Sequence, residues 1–240
     1  MKVNPVSHEV LGGPLVPVYV YEAPIRFWHW AMVVTMFVLI GTGYLIGDPL
    51  SANYADTWNQ YQFGYIRMAH FIAGFLFSIL FIVRSYWALV GNKYARSIYV
   101  PPVWNLSWWD GMFRQAQYYL FLRPKSPEFV GHNPLAQIAM FAMYVVGTVL
   151  IIITGFGLYA QQWGWDSGWM SWFGWVTVWF GEPQTVRTWH HVLMYYLGLF
   201  AIIHMYMAMR EDIMGGATQL STMTNGVRMF KEPVDGSGHH

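Results

Sequence analysis

The run RTWHHVLMYYLGLFAIIHMYMAMR, from Arg187 to Arg210, decides how this chain is built. Between Thr188 and Met209 it has no charged residue, and as a helix it is long enough to cross about 30 Å of hydrocarbon. It also carries His190 and His204, fourteen residues apart. At about 100° and 1.5 Å per residue these two share one face and lie about 21 Å apart along the axis. His191 is rotated about 100° from His190, and helical phase sets it aside from that face. A single span therefore offers two ligands at two depths.

Three further runs have the same character: Phe27 to Ile46, Met68 to Val90 and Leu135 to Ala160. Of the 240 residues, 55% are hydrophobic and 10% charged, far below the quarter or so that soluble domains carry. The expected fold is all-α and integral to the membrane: a four-transmembrane-helix bundle with interfacial helices in its connections. No composition break marks a second domain. The reading is a segment over residues 1–26, a membrane domain over 27–210 and a tail over 211–233. Residues 234–240 read as a tag remnant, which removes His239 and His240 from consideration. Residues 1–24 carry acids and four prolines and read as lacking a cleavable secretory signal. Cysteine is absent, which excludes disulfides, thiolate metal sites, iron-sulfur ligation and covalently attached haem within the chain.

Basic residues set the orientation. Lys2 and Arg26 precede the first span; Arg84, Lys93, Arg96, Arg114, Arg123 and Lys125 belong to the second connection; Arg210, Arg228 and Lys231 follow the last span. These are eleven of the thirteen Lys and Arg, so both termini are expected in the cytoplasm, with the chain in a bacterial inner membrane. Only Arg67 and Arg187 fall on the other side. The stretch SWWDGMFRQAQYYLFL, Ser107 to Leu122, suggests an interfacial helix on the cytoplasmic face. The third connection, Gln161 to Arg187, is dense in tryptophan and reads either as an aromatic belt or as a docking face for a periplasmic partner.

Ionisable residues inside spans are costly and usually functional. With these ends assigned, His29 opens the first span on the cytoplasmic side and His70 opens the second on the periplasmic side. Depth then pairs His70 with His190 and His29 with His204. Two haems, each held axially by histidines of two helices, would suit this layout. Arg26, Arg67 and Arg187 each stand three residues before one of these histidines, as neighbours on the helix surface. They are candidates for the haem propionates, since guanidinium suits carboxylate; for Arg26, snorkelling at a helix end is an equal reading. Gly41, Gly43, Gly74, Gly155, Gly157 and Gly198 would leave room for a flat macrocycle or serve ordinary close helix packing.

RFWHW from Arg26, GTG from Gly41, GYIRMAHFIAG from Gly64, GHNPLAQ from Gly131, RTWHHVLMYYLG from Arg187 and HMYMAMREDIM from His204 together resemble the cytochrome b subunit of membrane-bound nickel-iron hydrogenases. The likeness runs from about Tyr19 to Phe230, and the gamma subunit of formate dehydrogenase is similar at fold level. The resemblance implies a subunit that anchors a periplasmic hydrogenase and takes electrons from the iron-sulfur chain of the small subunit, behind which lies the large nickel-iron subunit. Two b-type haems would pass them to a membrane quinone, and the subunit would not itself activate hydrogen. It carries ligands over to His70 and His190 for the periplasm-side haem and to His29 and His204 for the cytoplasm-side one. Where the family has one His after Trp, this sequence has His190-His191. A quinone site is expected near the cytoplasmic haem, from His132, Asn133, Arg210, Glu211 and Asp212, although Asn133-Pro134 also reads as a helix start. No nucleic-acid partner is expected.

Two other classes compete. A non-haem metal oxidase or desaturase would cluster several ligands at one depth, which these histidines do not. A transporter using histidine relays would normally show midplane carboxylates or broken helices, and these spans show neither.

Overall fold

The computed structural model describes residues 16–49, 61–124, 127, 129–215 and 218–230. Expectations for residues 1–15, for most of the first connection and for residues 234–240 lie outside the described residues. In chain order the elements are β1 (Val16–Tyr19), α1 (Ala23–Gly47), α2 (Gln62–Val90), α3 (Lys93–Arg96), α4 (Leu106–Tyr119), α5 (Pro134–Ala139), a π-helical stretch (Met140–Val146), α6 (Gly147–Ala160), a 3-10 turn (Gln161–Trp163), α7 (Gly168–Phe180), α8 (Pro183–Gly215), α9 (Gln219–Asn225) and β2 (Val227–Phe230).

Four helices are long and apolar enough to cross a membrane: Ala23–Gly47, Gln62–Val90, Pro134–Trp163 and Pro183–Met214. Phe27, Phe37, Ile72, Ile82, Leu89 and Ile202 stand exposed on them, so hydrocarbon and not water is their solvent. Small hydroxylated residues are buried instead, among them Thr35, Ser78, Thr148 and Thr154. Thr35 donates to the Ala31 carbonyl at 2.7 Å and Ser78 to the Gly74 carbonyl at 2.8 Å, which satisfies each hydroxyl inside its own helix. The chain is a multi-pass, mostly helical membrane protein.

The helices overrun the apolar runs. Helix α2 begins at Gln62, six residues before Met68, and α8 runs from Pro183 to Gly215, past both Thr188 and Met209. Hydropathy marks only what hydrocarbon covers, whereas backbone hydrogen bonding continues into the headgroup layer. The segment boundaries at residues 26 and 211 consequently fall inside α1 and α8.

The chain packs as two compact units. The first comprises the described residues of Met1–His29, Ser85–Phe141 and Ile202–His240. Its only strands among the described residues, β1 and β2, pair antiparallel with Val16 opposite Phe230 and Tyr19 opposite Val227. An all-α reading does not contain this sheet: two four-residue strands some two hundred positions apart leave no local periodicity to read. Arg228 braces it by donating to the carbonyls of Phe129 and Gly131 at 2.9 and 3.0 Å. Arg96 covers the end of α2, donating to the Ala88 and Leu89 carbonyls at 3.2 and 3.0 Å. The interfacial helix expected over residues 107–122 is α4, with the Asn105 side chain accepting from the Ser107 N–H at its start. Trp108 Nε1 donates to Gln137 Oε1 at 2.8 Å and ties α4 to α5.

The second unit comprises Trp30–Arg84 and Ala142–Ala201 in its described residues. Its Trp-rich connection folds as α7, capped by Ser167, whose Oγ accepts from the Met170 N–H at 3.2 Å. The helix seats Trp169 and Phe173 against Phe156 of α6, with ring centroids 5.9 and 5.0 Å away, and leaves Trp172 and Trp179 exposed. Gly157 allows this approach, since a Cβ there would meet Val176 Cγ1 at 2.8 Å. Gly157→Ala is expected to destabilise the packing of α6 on α7 by about 1–3 kcal/mol, and adding Val176→Ala to recover part of it. Thermal denaturation of the single and double variants checks this. In the π-helical stretch the Ala142 carbonyl accepts from the Tyr196 hydroxyl at 3.2 Å, which satisfies a group that the wide turn exposes.

Candidate functional site

Four histidines come together in twos. In the second unit, His70 of α2 and His190 of α8 face each other with ring centroids 6.4 Å apart and planes inclined by 75°. In the first unit, His29 of α1 and His204 of α8 stand 6.4 Å apart at 55°. All four are half-buried.

The His70–His190 pair opens on a cavity of about 1060 Å³, lined by both histidines together with Gly43, Gly74, Gly155, Arg67, Arg187 and His191. Each ring is held from outside its own helix. Thr42 Oγ1 lies 2.9 Å from His70 Nδ1, and Thr154 Oγ1 lies 2.9 Å from His190 Nδ1. Each threonine is followed by a glycine that the ring needs. A Cβ at position 43 would stand 3.3 Å from His70 Cε1, and one at 155 would stand 3.1 Å from His190 Cε1. Of the remaining small residues singled out, Gly74 lines the cavity and has open space, Gly41 has open space, Gly198 has only Ile40 nearby and Gly157 serves helix packing.

Arg67 donates to Gln162 Oε1 at 2.7 Å and lies over the Phe63 and Phe71 rings; Arg187 reaches Gln184 Oε1 at 3.5 Å. Both border the cavity. Arg26 instead donates to the Thr224 carbonyl, beside the turn at Gly226. His191, set aside by phase, lines the same cavity after all. Its Nδ1–H donates to the Arg187 carbonyl at 3.1 Å, and its Nε2 occupies the place a Cβ of residue 47 would take. The cavity spans enough of the α8 circumference to take in neighbouring residues on different faces.

A second cluster belongs to the first unit. The Arg210 guanidinium sits over the rings of Tyr118, Tyr119 and Phe121, 4.8, 5.0 and 5.9 Å from their centroids, and pairs with Glu211 at 3.2 Å. Asn133 donates to the Tyr119 hydroxyl at 3.1 Å and also caps α5, accepting from the Ala136 N–H at 2.7 Å, with Pro134 at the first helical position. Burial and the nearby Glu211 carboxylate push the Tyr119 phenol up to about 12, so it remains a proton donor at any neutral pH. His132 Nδ1 lies 3.2 Å from the Tyr21 hydroxyl. Asp212 accepts from the Leu220 N–H at 3.0 Å near the start of α9. Sequence reasoning missed Tyr119, Thr42 and Thr154; the two threonines leave a trace in the repeated Thr-Gly dipeptide.

A family model described as prokaryotic cytochrome b561 matches residues 20–226, a range that holds all four spans and both histidine pairs. The chain belongs to the prokaryotic cytochrome b561 family. It is 47% identical over 215 residues, 90% of each chain, to a protein of Azotobacter vinelandii named "Probable Ni/Fe-hydrogenase B-type cytochrome subunit". A protein of Escherichia coli K12 named "Probable Ni/Fe-hydrogenase 1 B-type cytochrome subunit" is 43% identical over 217 residues, 89% of this chain and 91% of the relative. A Cupriavidus necator protein with the first of these names is 40% identical over 224 residues, 92% and 91% of the two chains.

Membership in a b-type cytochrome family implies haem b and electron transport. The residues present fit that group. Metal–imidazole bonds run about 2 Å, and two of them plus the ring radii come to roughly 6 Å between centroids, close to the 6.4 Å of each pair. Gly43, Gly74 and Gly155 leave the space beside His70 and His190 open, and two guanidinium groups border it. Among the described residues no group of three or more His, Cys, Asp or Glu could hold a metal ion.

Proposed function

We propose that this cytochrome carries electrons from a periplasmic nickel-iron hydrogenase to the membrane quinone pool by way of two b haems. The single observation that supports this best is the two histidine pairs, each drawn from two helices with rings 6.4 Å apart. His70 and His190 would hold the periplasm-side haem and His29 and His204 the cytoplasm-side one; bound haem b supplies the one-electron couple. Arg67 and Arg187, bordering the His70–His190 cavity, would take the propionates. Arg26 anchors the α9 end in the structure and is the weaker third candidate. The names of the relatives support a hydrogenase as donor, entered through the iron-sulfur clusters of its small subunit and fed by its large subunit. The basic residues favour an inner-membrane chain with both termini cytoplasmic.

Quinone would meet the chain at the Arg210 cluster, where the Tyr119 phenol, His132 and Asn133 offer hydrogen bonds to its carbonyls and Glu211 could pass on a proton. Asp212 would serve α9 instead. Tyr119→Phe is expected to lower hydrogen-dependent quinone reduction at least about tenfold while both haem spectra stay unchanged. A rate equal to wild type removes Tyr119 from the site.

The reading as a whole is tested by purifying the cytochrome with its partner. The expected result is low-spin b haem at two equivalents per chain and reduction of quinone on admission of hydrogen. Absence of haem overturns the reading, and reduction by formate in place of hydrogen assigns a different donor.

A further inference from the structure

We propose that Thr42 and Thr154 are positioning residues: each fixes the tautomer and orientation of one histidine of the His70–His190 pair, and through it the reduction potential of the centre that the pair holds. This rests on the reading of the pair as haem ligands.

Proton counting carries the argument. A threonine hydroxyl has one hydrogen to donate. Thr42 donates it to the Val38 carbonyl at 2.6 Å and Thr154 to the Leu150 carbonyl at 2.9 Å, each four residues back along its own helix. With that proton committed, only a lone pair of Oγ1 remains to meet the imidazole Nδ1 at 2.9 Å. The main-chain carbonyls of Leu39 and Ile151, 3.4 and 3.1 Å from the two hydroxyls, give each a second acceptor on its own helix. Nδ1 therefore carries the hydrogen on both rings, and Nε2 is the bare nitrogen that can bind a metal.

The device occurs twice. Thr42-Gly43 lies on α1 and Thr154-Gly155 on α6, and neither helix supplies a ligand to this pair. In both dipeptides the threonine meets Nδ1 and the glycine opens the space beside Cε1, at 3.3 and 3.1 Å from a notional Cβ. One dipeptide thus sets the hydrogen bond and the sideways position of each ring together. An acceptor on Nδ1–H makes Nε2 a stronger donor, which favours the more highly charged ferric state and holds the potential down.

The holoprotein carrying Thr42→Val or Thr154→Val tests this, since valine keeps the branched shape and loses the acceptor. Potentiometric titration followed by haem absorbance, and the low-spin ferric EPR signal, are the readouts. Each valine variant is expected to keep two haems per chain, to raise the potential of one of them and to move that haem's EPR signal, leaving the other haem unchanged. Thr42→Ser and Thr154→Ser should restore wild-type values. Loss of one haem in a valine variant that serine prevents also supports the clamp. Unchanged potentials and EPR signals in both valine variants, or a serine variant that behaves like valine, overturn it. Failure of the ligand reading looks different: wild-type protein would then lack two haems, or His70→Ala would spare both.

Discussion

Replacing His70 by alanine is expected to leave a folded protein with one haem b per chain in place of the two proposed for the wild type, and His29→Ala should remove the other. The reason is in the pairing: His70 stands 6.4 Å from His190, and His29 stands 6.4 Å from His204. A pair with one imidazole missing offers a single axial ligand, and low-spin coordination needs both. The double variant should bind none. Haem extraction and a redox titration of each protein measure this, and the two single variants must lose different redox components. If both singles retain both haems, the ligand assignment is wrong. His190→Ala should reproduce His70→Ala, and His204→Ala should reproduce His29→Ala.

The second large effect concerns stability. Arg210 and Glu211 are paired at 3.2 Å with side chains only 9% and 12% exposed. Adjacent helix positions point about 100° apart, and the guanidinium that meets Glu211 lies over the rings of Tyr118, Tyr119 and Phe121. Arg210→Met removes the cation beside a buried carboxylate, which typically costs about 3–5 kcal/mol. Arg210→Met combined with Glu211→Leu removes both charges and should recover most of that loss. Thermal unfolding in detergent, followed by haem absorbance, compares the three proteins. A single variant as stable as wild type would show that water reaches the pair.

Much of the architecture is legible from local pattern. Crossing hydrocarbon demands some twenty apolar residues with their backbone satisfied internally, and that demand writes itself into the sequence as long runs without charge. The four spans follow directly, as does the helix start at Asn133, where a capping side chain precedes the helix. The spacing of fourteen between His190 and His204 belongs to the same class of information, because helical rise and phase are fixed by backbone geometry. The hydrogenase subunit motifs added the family, which the match over residues 20–226 shows.

Other features depend on which surfaces meet, and no periodicity encodes that. The β1–β2 pairing joins residues 16–19 to 227–230. Helical phase turns His191 away from His190, yet the cavity is bounded by several helices and takes in both. Tyr119 gains its raised pKa from burial and a carboxylate on α8, and its hydrogen bond from Asn133 before α5. The Thr-Gly dipeptides could be read as small residues in a membrane helix; only the structure brings their hydroxyls to the histidine rings.

By itself, then, the run from Arg187 to Arg210 determined that this is a membrane helix with two histidines on one face, because length, charge and helical phase are properties of a single segment. Which side chains hold their rings and which surfaces line the cavity beside them were decided only by tertiary structure. Each of these is a contact between helices far apart in the chain, set by packing and by the need to satisfy every buried donor and acceptor.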